Sequence, residues 1–198
     1  LHIGALDSIS KQVMLRLTKK ALKISPCQVT LSEGSSDELL RELYTHKIDL
    51  VVTNFLPSGV DAKGLSPRLI AKNNIAIFGS PKFKYLRKGF PHSISGQPLV
   101  FPTYDSKLRP DLDHWAKLND IELNIVVESQ DIAVKKLMAI NEIGLIAAAT
   151  HTVTKQIHEG ELVEIGKLKG VHEELYLLTA QRKIPNVLAS ELFKNFSV

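Results

Sequence analysis

The chain is poor in the features that build stapled or membrane-spanning proteins. Cys27 is its only cysteine, so no disulfide closes within it, which agrees with a reducing compartment. No apolar run approaches the roughly 18–20 residues that a spanning helix needs, so no membrane is expected. A basic stretch followed by a signal-type apolar segment is missing from the start. The sequence opens instead inside an apparent strand and without an initiating Met, which leads us to expect a longer parent chain working in the cytoplasm. An excess of one charge is also lacking: 25 Lys and Arg stand against 21 Asp and Glu, a net of +4. The basic residues are scattered, with small groups at 19–23 and 82–88, and no dense stripe or reading helix marks a nucleic-acid face.

Chemistry-bearing motifs are equally scarce. There is no GxSxG elbow, phosphate loop or dinucleotide fingerprint. Cys27, in "SPCQV", has no acid or histidine set beside it. His151 and His158 lie seven residues apart on an expected helix, about 10.5 Å along its axis, too far to share a zinc ion. His2, His46, His92, His114 and His172 are isolated. Neither an enzyme, a metal site nor a cofactor is expected.

What is present is an ordinary globular composition, 44% hydrophobic and 23% charged, over a length that suits one domain or two small lobes. Strand and helix alternate. "LHIGAL" reads as a strand and 9–23 as a helix with Ile9, Val13, Leu15, Leu17 and Leu22 on its apolar side. "QVTLSE" is a second strand. Ser35 or Ser36 caps a helix that places Asp37 and Glu38 in its first turn and turns Leu39, Leu40 and Leu43 inward. "IDLVV" is a continuous apolar strand, as in a sheet covered on both faces. The stretch 65–81 reads as a strand pair, followed by a strand at 98–101 and a helix at 106–118. A strand at 121–129, a helix at 130–141, a strand at 143–149 and a helix ended by Gly160 come next. Strands at 161–166 and 173–181 and a helix at 186–196 close the chain. Gly and Pro cluster at 79–98, where the chain is expected to leave a first lobe for a second. The aromatics of "PKFKYLRKGFP" are expected to pack inward while its lysines stay solvated.

Several segments resemble a known family. "ELLRELYTHKIDLVVT" resembles the signature after the second strand in effector-binding domains of LysR-type transcriptional regulators. "IGALDSIS" is similar to their opening strand and ligand loop, and "VESQDIAVKKLMAINEIGLIAAAT" to a later segment. "GALDSISK" and "EIGKL" resemble the regulators of sodium/proton antiporter expression. His46 and Lys47 stand where the family usually has Gly, and Ala149 where Pro is common.

The resemblance implies an α/β fold of two Rossmann-like lobes of the periplasmic-binding-protein type, joined by two crossover strands. It implies a first lobe of 1–79 plus 166–198, a second of 80–165, and an N-terminal winged helix-turn-helix outside this chain that alone touches DNA. It further implies a small-molecule or ion effector and a homodimer or homotetramer. Exposed apolar positions within 13–22 and 132–140 would serve the subunit contact. A transporter's solute-binding protein of the same architecture is the alternative.

In open α/β sheets ligands sit beyond the carboxyl ends of the strands. Ser8 and Ser10, Ser35 and Ser36, Thr103, and Ser129 follow four such ends and are expected to line one crevice. Family position adds Ile9 and singles out Ser8, Ser35 and Thr103. Capping a helix is the commoner role for any one of these hydroxyls, and only their convergence points to a ligand. Asp7 puts a carboxylate at the mouth, either paired with a lysine such as Lys11 or helping to hold a hard cation.

Overall fold

The computed structural model describes residues 1–198, apart from the side chains of 60 and 61. The elements run β1 (His2–Leu6), α1 (Lys11–Ile24), β2 (Thr30–Gly34), α2 (Ser36–Tyr44), β3 (Leu50–Thr53) and β4 (Leu65–Gly79). They continue with β5 (Pro98–Phe101), α3 (Leu108–Leu118), β6 (Asn124–Glu128), α4 (Ile132–Ile140) and β7 (Leu145–Ala149). The chain closes with α5 (Thr150–His158), β8 (Val163–Ala180) and α6 (Val187–Asn195). Two compact units result: Leu1–Lys72 with Glu174–Val198, and Asn73–Glu173. β4 and β8 run through both.

In the first unit the strands lie in the order β2-β1-β3-β8. β1 is parallel to β2 and β3, and β8 is antiparallel to β3. Alternate residues of β3 and β8 feed two cores. Leu50, Val52, Leu175 and Leu177 pack with α1 and α6, while Val51, Tyr176 and Leu178 pack with α2. Burial on both faces explains why "IDLVV" is apolar without interruption. The second unit repeats the scheme as β4-β7-β5-β6, with β5 parallel to β6 and β7 and β4 antiparallel to β7. Ile77, Leu99, Phe101 and Ala147 face Leu112 and Trp115 of α3, whereas Phe78, Val100 and Ile146 face Ile132 and Ala139 of α4 and Val153 of α5.

Four expectations are corrected. On α1 the buried stripe is Val13, Met14, Leu17 and Ala21, and Leu15 and Leu22 are 46% and 50% exposed. Positions 13, 17 and 21 recur at the four-residue spacing of one face, and 15 and 22 fall together on another. The strand pair at 65–81 is one strand, β4, and the strands at 161–166 and 173–181 are one strand, β8. The apparent breakers have other work: a Cβ on Gly166 would lie 2.4 Å from the Phe90 ring, so that glycine makes room for an aromatic side chain. Phe90 in turn stacks on Trp115 at 6.0 Å. Phe83 is buried too, but Tyr85 of the same segment points outward.

α2, α3 and α4 each end with a non-glycine residue in the left-handed region: His46 (φ 61°), Asp120 (φ 53°) and Glu142 (φ 63°). This conformation crowds Cβ against the backbone, which is why glycine is usual there. His46→Gly should therefore stabilise the first unit by about 0.5–1 kcal/mol in urea unfolding. An unchanged or lower midpoint would show that strain at this turn is relieved by other contacts.

Candidate functional site

The expected residues fall at the carboxyl ends of parallel strands in each unit. In the first unit the chain leaves β1 through a tight turn in which the Ile9 N–H donates to the Leu6 carbonyl at 2.9 Å. Ser10 then caps α1, its Oγ accepting from the Gln12 N–H at 3.3 Å. The Ser8 Oγ accepts from Asn54 Nδ2 at 3.3 Å, and Asn54 immediately follows β3. Ser8, Ser10 and Asn54 thus gather where β1 and β3 end and α1 begins. The first turn of α1 carries no acidic residue, so the positive end of its dipole has no carboxylate of its own helix to neutralise it. Ile9 is only 1% exposed and packs into the core, so its side chain supports this corner from beneath. Asp7 is exposed, and Lys11 pairs with Glu33 rather than with it.

Ser35 is engaged differently. Its Oγ accepts from the Glu38 N–H at 3.4 Å and donates to the Glu38 carboxylate at 2.8 Å, while its own N–H reaches the same carboxylate at 3.1 Å. This reciprocal capping box satisfies both groups. The hydroxyl, then the N–H, of Ser35 hold the Glu38 carboxyl below its usual range. The anion position at the start of α2 is therefore filled by Glu38 itself. Ser36 Oγ lies 3.4 Å from Asp37 Oδ1 on the first turn.

In the second unit Thr103 follows β5 by two residues, and its Oγ1 is buried with no hydrogen-bond partner among the described residues. Ser129 follows β6, and its N–H donates to the Phe101 carbonyl at 2.9 Å, tying the two strand ends together. Asp131 caps α4 through the Ala133 N–H at 2.7 Å. Arg109, 2% exposed, fastens the Thr103 loop. It donates to the Pro102 carbonyl at 2.9 Å, to Glu128 at 2.5 Å and to both oxygens of Asp113 at 2.9 and 3.0 Å, and its guanidinium sits 3.9 Å from the Tyr104 ring centroid. Lys135 on α4 is 5% exposed. Burial pulls its ammonium down to about 8, against the opposing charges of Glu173 and Asp131. Burial likewise pushes the Glu173 carboxyl up to about 7, with Lys135 resisting.

Sequence reasoning missed Asn54, Arg109 and Lys135. Lys135 had a legible signal, since it shares the inward face of α4 with Ile132 and Ala139 at helical spacing. Asn54 had none, because its partner lies 46 residues away, and for Arg109 only the i, i+4 pairing with Asp113 was legible, since Glu128 lies 19 residues away. Among the described residues no group of three His, Cys, Asp or Glu could hold a metal ion, and no helix is long and apolar enough to cross a membrane.

Comparison with known proteins places this geometry. The chain is 23% identical over 183 residues to the transcriptional activator protein NhaR of Escherichia coli K12, covering 92% of this chain and 60% of that protein. It thus spans less than two thirds of that relative's length. Among solved structures, the regulatory domain of CcmR from Synechocystis PCC6803 superposes with a TM-score of 0.74 at 13% identity, over 98% of this chain and 95% of that one. The regulatory domain of CrgA, a LysR-type transcriptional regulator from Neisseria meningitidis, gives 0.73 at 14% identity over 98% and 97%. These two establish the fold: the two-lobed α/β architecture of such regulatory domains. The pattern of the LysR substrate binding domain matches residues 1–196, and the chain belongs to that family.

Proposed function

We propose that this chain is the effector-sensing part of a LysR-type transcriptional regulator, cytoplasmic and without catalytic activity. The lobes are taken as 1–79 with 166–198 and 80–165. In the first, Ser8, Ser10 and Asn54 offer polar contacts to a small ligand or ion, with Asp7, Ile9, Ser35 and Ser36 as further candidates; in the second, Thr103 and Ser129 do. DNA contact belongs to a winged helix-turn-helix preceding this chain. The observation that carries the reading is the unused hydrogen-bonding capacity at these strand ends: the Thr103 hydroxyl is buried without a partner, and the first turn of α1 lacks a carboxylate. Such groups stay unpaired at a cost unless something binds them. The relatives agree with it, since NhaR is a transcriptional activator and the CcmR domain was solved in complex with 2-PG.

The mechanism is differential affinity: a ligand that fits one arrangement of the lobes better shifts the population towards it. A homodimer or homotetramer transmits the shift. Leu15, Leu22 and Ile24 of α1 with Leu31 of β2, and Val126, Leu137 and Ile143 of the second unit, are exposed apolar residues suited to such contacts.

A thermal-shift screen of metabolites and of sodium, lithium and potassium salts tests the proposal. A hit should raise the melting temperature of the wild type by several degrees and lose most of that gain in Asn54→Ala. Chemical turnover of the hit, or equal stabilisation of both proteins, counts against it.

A further inference from the structure

The first unit also holds a hollow of about 200 Å³ at the other end of its strands. Asp49, in its wall, precedes β3, whereas Asn54 of the candidate site follows that strand. The wall comes from the starts of β3 and β4, the end of β8, the turn after it and the opening of α6. Its ions answer each other: Arg182 pairs with Asp49 at 2.8 Å and donates to the Ile48 carbonyl at 2.7 Å, and both side chains are largely buried. What is left over is neutral. The Ser66 hydroxyl and the Gln181 side-chain amide make no hydrogen bond among the described residues. Asn186 spends its Oδ1 on the Leu188 and Ala189 N–H groups, which leaves its Nδ2 free to donate. The Ser190 hydroxyl donates to the Asn186 carbonyl and can still accept. Beside this polar lining the chain turns apolar. Ile184 and Val187, on either side of Pro185 and Asn186, are 87% and 81% exposed, more than any other large apolar residue described. One such residue is ordinary on a surface, but two flanking a polar hollow make an amphipathic site.

We propose that this hollow is a second ligand site, for a neutral amphipathic molecule with an amide or hydroxyl head and a short hydrocarbon tail. The head takes its hydrogen bonds from Ser66, Gln181 and Asn186, and the tail lies over Ile184 and Val187. At roughly 30 Å³ per water the hollow suits a head and first carbons of six or seven non-hydrogen atoms. A carboxylate or ammonium head is disfavoured, because Asp49 and Arg182 already neutralise each other and a third charge would lose water without gaining a partner. The site goes beyond the effector-sensing reading and does not depend on it.

The test titrates the chain with propanamide, butanamide and hexanamide, and with hexanoate as the charged control, following backbone amide NMR signals. The wild type should show shifts at 179–190, with affinity rising about twofold per added methylene, the return for a half-buried CH₂. Hexanoate should bind about tenfold more weakly than hexanamide. Gln181→Leu should weaken every amide about fivefold, through the hydrogen bonds it removes. The double variant Ile184→Ser with Val187→Ser should keep propanamide binding and lose the gain with tail length. Ser190→Leu, which fills the hollow, should abolish binding; the other variants change exposed positions and report even if this one does not fold. No shift at 179–190 with any amide, hexanoate as tight as hexanamide, or unchanged affinity in Gln181→Leu overturns the site. Shifts confined to the corner of Ser8, Ser10 and Asn54 would overturn it too, while leaving the effector-sensing reading intact.

Discussion

Arg109→Met should lower the stability of the second unit by about 3 kcal/mol, among the larger losses a single change in this chain can cause. The guanidinium is buried and serves four acceptors as well as the Tyr104 ring. Burial alone would ease its proton off, but the hydrogen bonds it donates to Glu128 and Asp113 more than offset that and hold the proton harder than usual. Asp113 and Glu128 are each more than a third exposed, so water can take over at both once the arginine is gone. The Pro102 carbonyl has no such substitute, and its loss accounts for much of the expected cost. Arg109→Lys should recover little, because a single ammonium cannot serve a fork of acceptors on two sides. Urea unfolding measures the global effect, and hydrogen exchange at 103–106 measures the local one. Loss of stability without faster exchange in that loop would mean that Arg109 supports α3 alone and does not hold Thr103 in place.

The pH dependence of the Lys135–Glu173 pair is the second large effect. Lys135 falls from an ordinary value of 10.5 to about 8 in the folded chain, so the unfolded chain binds the extra proton between those limits. Stability is therefore depressed below about pH 8 and rises towards 10.5, by up to about 3 kcal/mol in all. Glu173 works the other way. Its value rises from 4.5 to about 7, so the folded chain holds the extra proton, and the stability this gives is present below 4.5 and lost as pH climbs to 7. Between 7 and 8 neither group helps, and the profile of the wild type should show a shallow trough there. In Lys135→Met the alkaline rise should vanish and stability at neutral pH should increase by about 1–4 kcal/mol, since a desolvated ammonium gives way to a packing side chain. The acid limb should persist at a higher pH, because Lys135 no longer holds the Glu173 carboxyl down. Denaturant midpoints across the range decide it: a flat wild-type profile would show that water reaches both groups.

What the sequence could reveal follows the range of the interactions involved. Local order was legible. The cap at Ser35 with Glu38 in the first turn of α2, and Gly160 after α5, lie within three or four residues of what they serve. The alternation of strand and helix could be read from the same short-range signals, whereas the two-lobed α/β class came from the resemblance of whole segments to a known family. β4 and β8 were each divided in two, because Asn73, Asn74, Gly166 and Gly170 look like punctuation to a local reading. Their pairing partners come from distant strands, which override that local preference. The candidate site was half legible for the same reason. Ser8 and Thr103 could be placed by counting from strand ends, whereas Asn54, and the Glu128 contact of Arg109, depend on pairing between distant segments. Leu15 and Leu22 misled because apolar residues on a helix do not announce whether they face this chain's core or another subunit.

The unbroken run of β8 has one more consequence. Its odd and even positions, Leu175 and Leu177 against Tyr176 and Leu178, serve separate cores on opposite sides of the sheet. Excising a single residue from Lys167–Gly170 would swap those two sets wholesale, pushing the Tyr176 ring into the layer beneath α1 and leaving the α2 side with leucines of the wrong shape. Excising two would restore the original sides. Length variation in this strand should accordingly be tolerated in pairs and punished singly, a parity rule that a simple loop would not obey.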